Sequence, residues 1–239
     1  MMGHQDSRLT VDLGAITANW RYMDSLSTAA TTTAAVVKAD GYGLGAKNVA
    51  EALIISGCKE FFVANLGEAI ALRQHLDEIG QTQPNIMTLH GCHVNQLGDH
   101  AAFRITPVLN DLDQLSRWRV FSQQKSDKLP AFLHIDTGMT RLGFDTEQID
   151  WLIENKSALN GVHCRYVMSH LMSAEIANDQ TNTRQLNSFN KVQQWFADIP
   201  ASLANSAGSF LSPAFHFQMT RPGIALYGAH PADLPIDKL

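Results

Sequence analysis

Short apolar runs alternate along the chain with longer stretches in which apolar residues return every three or four positions. The first run, Ala34-Ala35-Val36-Val37, has no polar interruption, which predicts a strand covered on both faces. Further strands are predicted over Glu60–Asn65, Asn85–His90, Phe103–Leu109, Ala131–Asp136, Val162–His170, Ser202–Asn205 and Phe215–Thr220. Between them, helical spacing places Ile16, Trp20, Met23 and Leu26 on one face of a helix over Ile16–Leu26, and Val49, Leu53 and Ile54 on one face of Gly45–Ser56. Leu66–Ile79 reads as a helix closed by Gly80, and Asp111–Gln124 as one capped by Asp111. Thr146–Leu159 and Thr183–Phe196 complete the set.

Eight strands, mostly separated by helix-sized segments, predict an α/β chain folded as a parallel (β/α)8 barrel of the TIM type. No composition shift, repeat or linker divides it, so residues 1–239 read as a single barrel domain.

Composition narrows the function. With 45% hydrophobic and 17% charged residues the chain is an ordinary globular protein. Its net charge of −5 argues against nucleic acid, because binding a phosphate backbone calls for a basic face. No apolar run approaches the roughly 18 residues of a membrane span, and Met1 to Thr10 lacks the apolar core of a secretory signal. Cys58, Cys92 and Cys164 form no CxxC pair and are odd in number, which suits a reducing compartment and a cytoplasmic location.

The chemistry gathers where barrel strands end. Lys38 follows the first run and precedes a loop rich in glycine, Gly41-Tyr42-Gly43-Leu44-Gly45. An amine at the mouth of a core is partly desolvated, and its neutral form attacks carbonyls to give a Schiff base. A lysine snorkelling from a strand end is the plain alternative. In this fold the active site lies at the carboxyl ends of the strands. Lys38, Tyr42, Arg141, His170, Asn205, Ser206 and Arg221 would converge there. Asn205-Ser206-Ala207-Gly208-Ser209 and Arg221-Pro222-Gly223-Ile224 follow the last two predicted strands. Their free backbone N–H groups suit a phosphate, although a plain Asn-Ser cap and a Pro-Gly turn are the bland reading of each. His134, His163 and His170 lack an HxxxH pair or a companion glutamate, so no metal is expected.

Lys38-Ala39-Asp40-Gly41-Tyr42-Gly43 resembles the cofactor-attachment motif of the alanine racemases, and Asp136-Thr137-Gly138-Met139-Thr140-Arg141-Leu142-Gly143-Phe144 resembles a second signature of that family. Leu44 departs from the histidine expected in many relatives, at a position outside the reacting groups. The resemblance implies a pyridoxal 5′-phosphate (PLP) enzyme that interconverts L- and D-alanine and supplies D-alanine for peptidoglycan. It implies Lys38 as the catalytic Schiff-base lysine and Tyr42, Asn205, Ser206, Gly223 and Ile224 around the phosphate. Arg141 would meet the cofactor's phenolic oxygen and the substrate carboxylate, and His170 would hydrogen-bond Arg221. His134 stands where some relatives carry a modified, negatively charged lysine facing this arginine.

Arg221 would oppose the cofactor's ring nitrogen. An arginine keeps its own proton, so the nitrogen stays unprotonated, the carbanion is poorly delocalised and return of the proton to Cα is favoured. Family members work as homodimers in which a tyrosine of the partner's C-terminal β domain serves the other face of Cα. The resemblance places that domain outside this chain, so the chain is expected to be the N-terminal barrel, able to bind PLP but racemising poorly alone. A single-domain PLP-homeostasis protein of similar length, and a PLP-free Schiff-base aldolase barrel, are the alternative readings.

Overall fold

A computed structural model describes residues 8–231. The stretches 1–7 and 232–239, which hold most of the N-terminal segment assessed for a signal, lie outside the described residues.

All strands are parallel. They follow the order β1-β9-β8-β7-β6-β5-β4-β3-β2, with β1 (Thr32–Thr33) and β2 (Ala35–Val36) forming two halves of one extended segment around Ala34. On one side the N–H groups of Thr32, Ala34 and Val36 donate to the carbonyls of Gln218, Thr220 and Pro222. On the other, β2 pairs with β3 (Glu60–Val63), and Val37 N–H donates to Phe62. One segment thus joins both edges and brings the sheet round into a barrel of eight strands, as predicted. The rest of the wall is β4 (Asn85–Thr88), β5 (Ile105–Leu109), β6 (Leu129–His134), β7 (Val162–Met168), β8 (Ala201–Asn205) and β9 (Met219–Arg221).

Strand alternation divides the apolar residues between two layers. Ala34, Val36, Phe62, Met87, Val108, Phe132, Met168 and Met219 pack together inside the cylinder. Phe61, Val63 and Ile86, their neighbours in sequence, pack outward against helices instead. Strands such as β3 and β5 are therefore buried on both faces, which explains why their runs read as continuously apolar, whereas β7 exposes His163 near its start.

The outer helices are α1 (Leu13–Ser25), α3 (Ala46–Ile55), α4 (Leu66–Glu78), α5 (Leu97–Ala102), α6 (Leu112–Ser122), α7 (Thr146–Glu154) and α8 (Gln180–Gln193), with α2 (Lys38–Tyr42) a single turn inside the barrel mouth. Side-chain caps set several starts: Asp12, Asn65, Asp111, Asp145 and Asp179 each accept from a first-turn N–H. Asp179 starts α8 three residues before the predicted Thr183.

Some boundaries differ from expectation. The last strand spans only Met219–Arg221, because Ser212 caps a 3-10 turn at Pro213–Phe215 and Phe217 takes a positive φ of 50°. Phe103 closes α5, a helix too short to show periodicity, and the following strand begins at Ile105. The helix from Thr146 stops at Glu154 and gives way to a 3-10 turn over Lys156–Leu159. No helix among the described residues is long and apolar enough to cross a membrane.

Candidate active site

A cavity of about 330 Å³ opens at the carboxyl ends of the strands. All nine residues singled out in the sequence line it: Lys38, Tyr42, Arg141, His170, Asn205, Ser206, Arg221, Gly223 and Ile224. Its apolar floor is Val36, Phe62, Leu89 and Met168, the upper part of the barrel interior. Three cationic side chains, Lys38, Arg141 and Arg221, share the wall with one acidic residue, Glu175. That imbalance suits an anionic guest.

Lys38 leaves β2 half-buried, with Nζ 5.9 Å from the centre of the Tyr42 ring. It lines the cavity rather than snorkelling away. The turn behind it is left-handed: Ala39, Asp40, Gly41 and Tyr42 have φ of 52°, 52°, 63° and 55°. Tyr42 is held against Tyr227, ring centres 4.8 Å apart, and burial raises its hydroxyl pKa.

The loops after β8 and β9 are tied together by one hydroxyl. Ser206 Oγ accepts from Gly223 N–H at 2.8 Å and Ala225 N–H at 3.3 Å. With its lone pairs engaged, its own proton is left to donate into the cavity. Gly223 must be glycine for space: an added Cβ would meet the Tyr42 hydroxyl at 2.5 Å and Val36 Cβ at 3.2 Å. Asn205 is a cap after all, accepting from Gly208 N–H at 2.9 Å and donating to the Leu171 carbonyl at 3.2 Å, while also lining the cavity.

Arg221 is 4% exposed and donates to Ser202 Oγ and to the carbonyls of Ser169 and Leu203. Desolvation pulls it down to about 9, which leaves it a cation at neutrality. The expected hydrogen bond between His170 and Arg221 is not formed among the described residues, where Ser202 Oγ and the carbonyls of Ser169 and Leu203 accept from the guanidinium and leave part of its five N–H groups free. His170 stands close enough to feel its charge: burial and then Arg221 push the imidazole down to about 3. Burial and Arg221 likewise bring His134 to about 3. Its Nδ1 lies 2.8 Å from Asn110 Oδ1. Both rings are neutral, so the position expected to carry a negative charge in some relatives carries none here.

Arg141 sits in a loop that Asp136 folds by accepting from Gly138 N–H at 2.9 Å and Thr140 N–H at 3.1 Å. Gly143, at φ 109°, brings this loop back onto the strand end, where an added Cβ would meet Asp136 N at 2.8 Å and the His134 carbonyl at 2.9 Å. Thr137 Oγ1 to Ser169 Oγ, 2.7 Å, links it to the His170 loop. Arg141 itself is exposed at the rim. Lining residues that the sequence reading did not single out for the site include Leu89, just beyond β4, Glu175, in the loop between β7 and α8, and Pro231, after β9. None of the three lies in a motif that marked it. No group of histidine, cysteine and carboxylate side chains among the described residues could hold a metal ion.

Residues 11–231 match the family model described as alanine racemase, N-terminal domain. The alanine racemase of Brucella suis is 41% identical over 223 residues, covering 93% of this chain and 55% of that protein. The Rickettsia typhi alanine racemase is 40% identical over 220 residues, 92% of this chain and 54% of that one. The crystal structure of the Bartonella henselae alanine racemase with covalently bound pyridoxal phosphate superposes with a TM-score of 0.90 at 36% identity, over 96% of this chain and 65% of that one. The chain thus spans about half the length of the curated relatives it matches. These relatives do not favour the single-domain homeostasis reading. The chain belongs to the alanine racemase family, through the N-terminal domain of that family.

Proposed function

We propose that this chain binds PLP through Lys38 and forms the barrel of an enzyme that interconverts L- and D-alanine, providing D-alanine for peptidoglycan. The observation that carries the reading is the convergence on one cavity of an amine at a strand end, a buried guanidinium and two loops stapled by Ser206. The residues fit the cofactor: the cationic wall suits its phosphate and phenolic oxygen, and Gly223 leaves backbone uncovered where a Cβ would collide with Tyr42.

PLP, when bound, supplies an aldehyde that links to amines and a ring that withdraws electrons from Cα. The chain's residues do the rest. Lys38 Nζ would hold the cofactor and would hold or move the proton at Cα on its own side. Ser206 would donate its hydroxyl proton toward the phosphate, and Ile224 its backbone N–H, while the Gly223 N–H stays engaged by Ser206 Oγ. Arg141 at the rim holds the carboxylate of alanine with a forked, permanent cation. Arg221 offers hydrogen bonds to the ring nitrogen and keeps its proton, since its depressed value of about 9 still lies above neutrality. A cation there would leave the ring nitrogen unprotonated, which would favour return of the proton to Cα and so racemisation over transamination.

Lys38 serves one face only. By family resemblance the opposite face is served by the C-terminal domain of a partner subunit, so the reading includes a cytoplasmic homodimer and poor turnover by the 239-residue chain alone. The decisive experiment incubates the chain with PLP, reduces with borohydride and locates the added mass by peptide sequencing. Label on Lys38, absent in Lys38→Ala, is expected. Equal covalent capture by Lys38→Ala would overturn the proposal.

A further inference from the structure

Five consecutive positive φ angles, from Ala39 to Gly43, are unusual, and three belong to residues with a Cβ: Ala39, Asp40 and Tyr42. Each crowds its Cβ against a carbonyl oxygen, so the turn persists only where its surroundings over-determine it. Part of the restraint is local. Gly41 N–H donates to the Val37 carbonyl, Gly45 N–H to the Asp40 carbonyl, and Ala46 N–H to Asp40 Oδ1, at 2.9, 2.8 and 2.9 Å.

The remaining restraint comes from another element. Glu68 occupies the third position of α4, behind the Asn65 cap. A carboxylate there ordinarily turns back to the cap residue's own N–H. Here Glu68 Oε2 accepts from Ala64 N–H at 2.8 Å and Oε1 reaches across to Ala39 N–H at 3.1 Å. The Ala39 N–H belongs to the peptide that immediately follows Lys38. On the other side of Lys38, Val37 N–H is fixed in the ladder to Phe62 at 2.8 Å. The lysine is therefore held between a strand hydrogen bond and a carboxylate clamp. Glu68 does not line the cavity.

We propose that Glu68 is a positioning residue for Lys38: by clamping the Lys38–Ala39 peptide onto the end of β3, it aims Nζ at the aldehyde of the bound cofactor. The proposal rests on the PLP reading above. A glutamine cannot replace the carboxylate fully, because only one end of its amide accepts while the other would present N–H to N–H.

The test separates the aim of the amine from occupancy of the cavity. PLP capture is measured as borohydride-fixed label on Lys38. Pyridoxamine 5′-phosphate, which carries an amine where PLP has its aldehyde and so cannot link to lysine, reports the rest of the site. For Glu68→Ala, the PLP concentration needed for half capture should rise about tenfold, the effect of losing one charge-assisted hydrogen bond. Glu68→Gln should show a smaller rise. Pyridoxamine phosphate affinity should stay within about twofold in both, and Glu68→Ala should add nothing to PLP binding in a Lys38→Ala background. Unchanged PLP capture in both variants would overturn the proposal. So would a parallel loss of pyridoxamine phosphate binding in the folded glutamine variant, which would mark Glu68 as structural only. A parent chain that captures no PLP would overturn the PLP reading itself.

Discussion

Asn110 dictates which nitrogen of His134 carries the proton. The Asn110 amide nitrogen donates to the carbonyls of Leu89 and Val108 at 3.0 and 2.9 Å, so it cannot be exchanged with its oxygen. Oδ1 must therefore be the atom facing His134 Nδ1, 2.8 Å away, and Nδ1 must hold the hydrogen. Nε2 is left as an acceptor on a ring that lines the cavity. Asn110→Leu should cost roughly 2–4 kcal/mol in urea unfolding, because two buried carbonyls and the imidazole lose their partner together. A cost below about 0.5 kcal/mol would show that the relay does not hold the ring.

The two neutral histidines make acid stability a readout of the cavity. His134 and His170 sit at about 3 in the folded chain against an ordinary value of 6.5, burial and Arg221 being the main causes. The unfolded chain thus binds more protons as pH falls below 6.5, so the folded state loses stability from there toward pH 3. Above 6.5 the contribution is complete and flat. Unfolding midpoints measured across this window should fall less steeply for His134→Gln than for the parent. Parallel slopes would contradict the assigned neutrality.

Gly223→Ala tests the close approach of the two loops. The new Cβ would lie 2.5 Å from the Tyr42 hydroxyl, whose ring is backed by Tyr227. Displacing Tyr42 should weaken pyridoxamine phosphate binding by about tenfold or more, while overpacking costs about 1–3 kcal/mol of stability. Affinity equal to the parent's in equilibrium dialysis would show that the approach is not needed.

Ser206→Ala removes the acceptor shared by Gly223 and Ala225 N–H. Stability should drop by about 1–3 kcal/mol, and phosphate-bearing ligands should bind more weakly because the donated hydroxyl proton is also gone. Ser206→Thr, which keeps the hydroxyl, should recover most of the stability. A threonine variant as weak as alanine would speak against the staple.

Arg221→Lys probes the buried cation without reversing its charge. Lysine lacks the forked donors that reach Ser202 and the carbonyls of Ser169 and Leu203, so unfolding by urea should come earlier by about 2–3 kcal/mol. A lysine variant of parental stability would mean that the guanidinium fork contributes nothing to the fold.

Much of this molecule is legible in its amino-acid sequence. Apolar runs such as Ala131–His134 and helical stripes such as Ile16, Trp20 and Met23 are local, because strand and helix periods repeat within a few residues. Their alternation was enough to indicate the barrel, and the barrel rule brought Lys38, Arg141, His170, Ser206 and Arg221 to one end. The short helix α5 and the turn before Met219 were hidden, since elements of a few residues carry no periodicity.

The tertiary structure alone decided how those side chains are held. Glu68 meets Ala39 across 29 positions, His134 meets Asn110 across 24, and Gly223 meets Ser206 across 17. Each contact depends on where two strand ends land side by side in the cylinder. Local pattern determined which residues face the cavity; packing determined which atoms bear protons and which peptide is clamped, because hydrogen bonds depend on ångström-scale placement that no periodicity encodes.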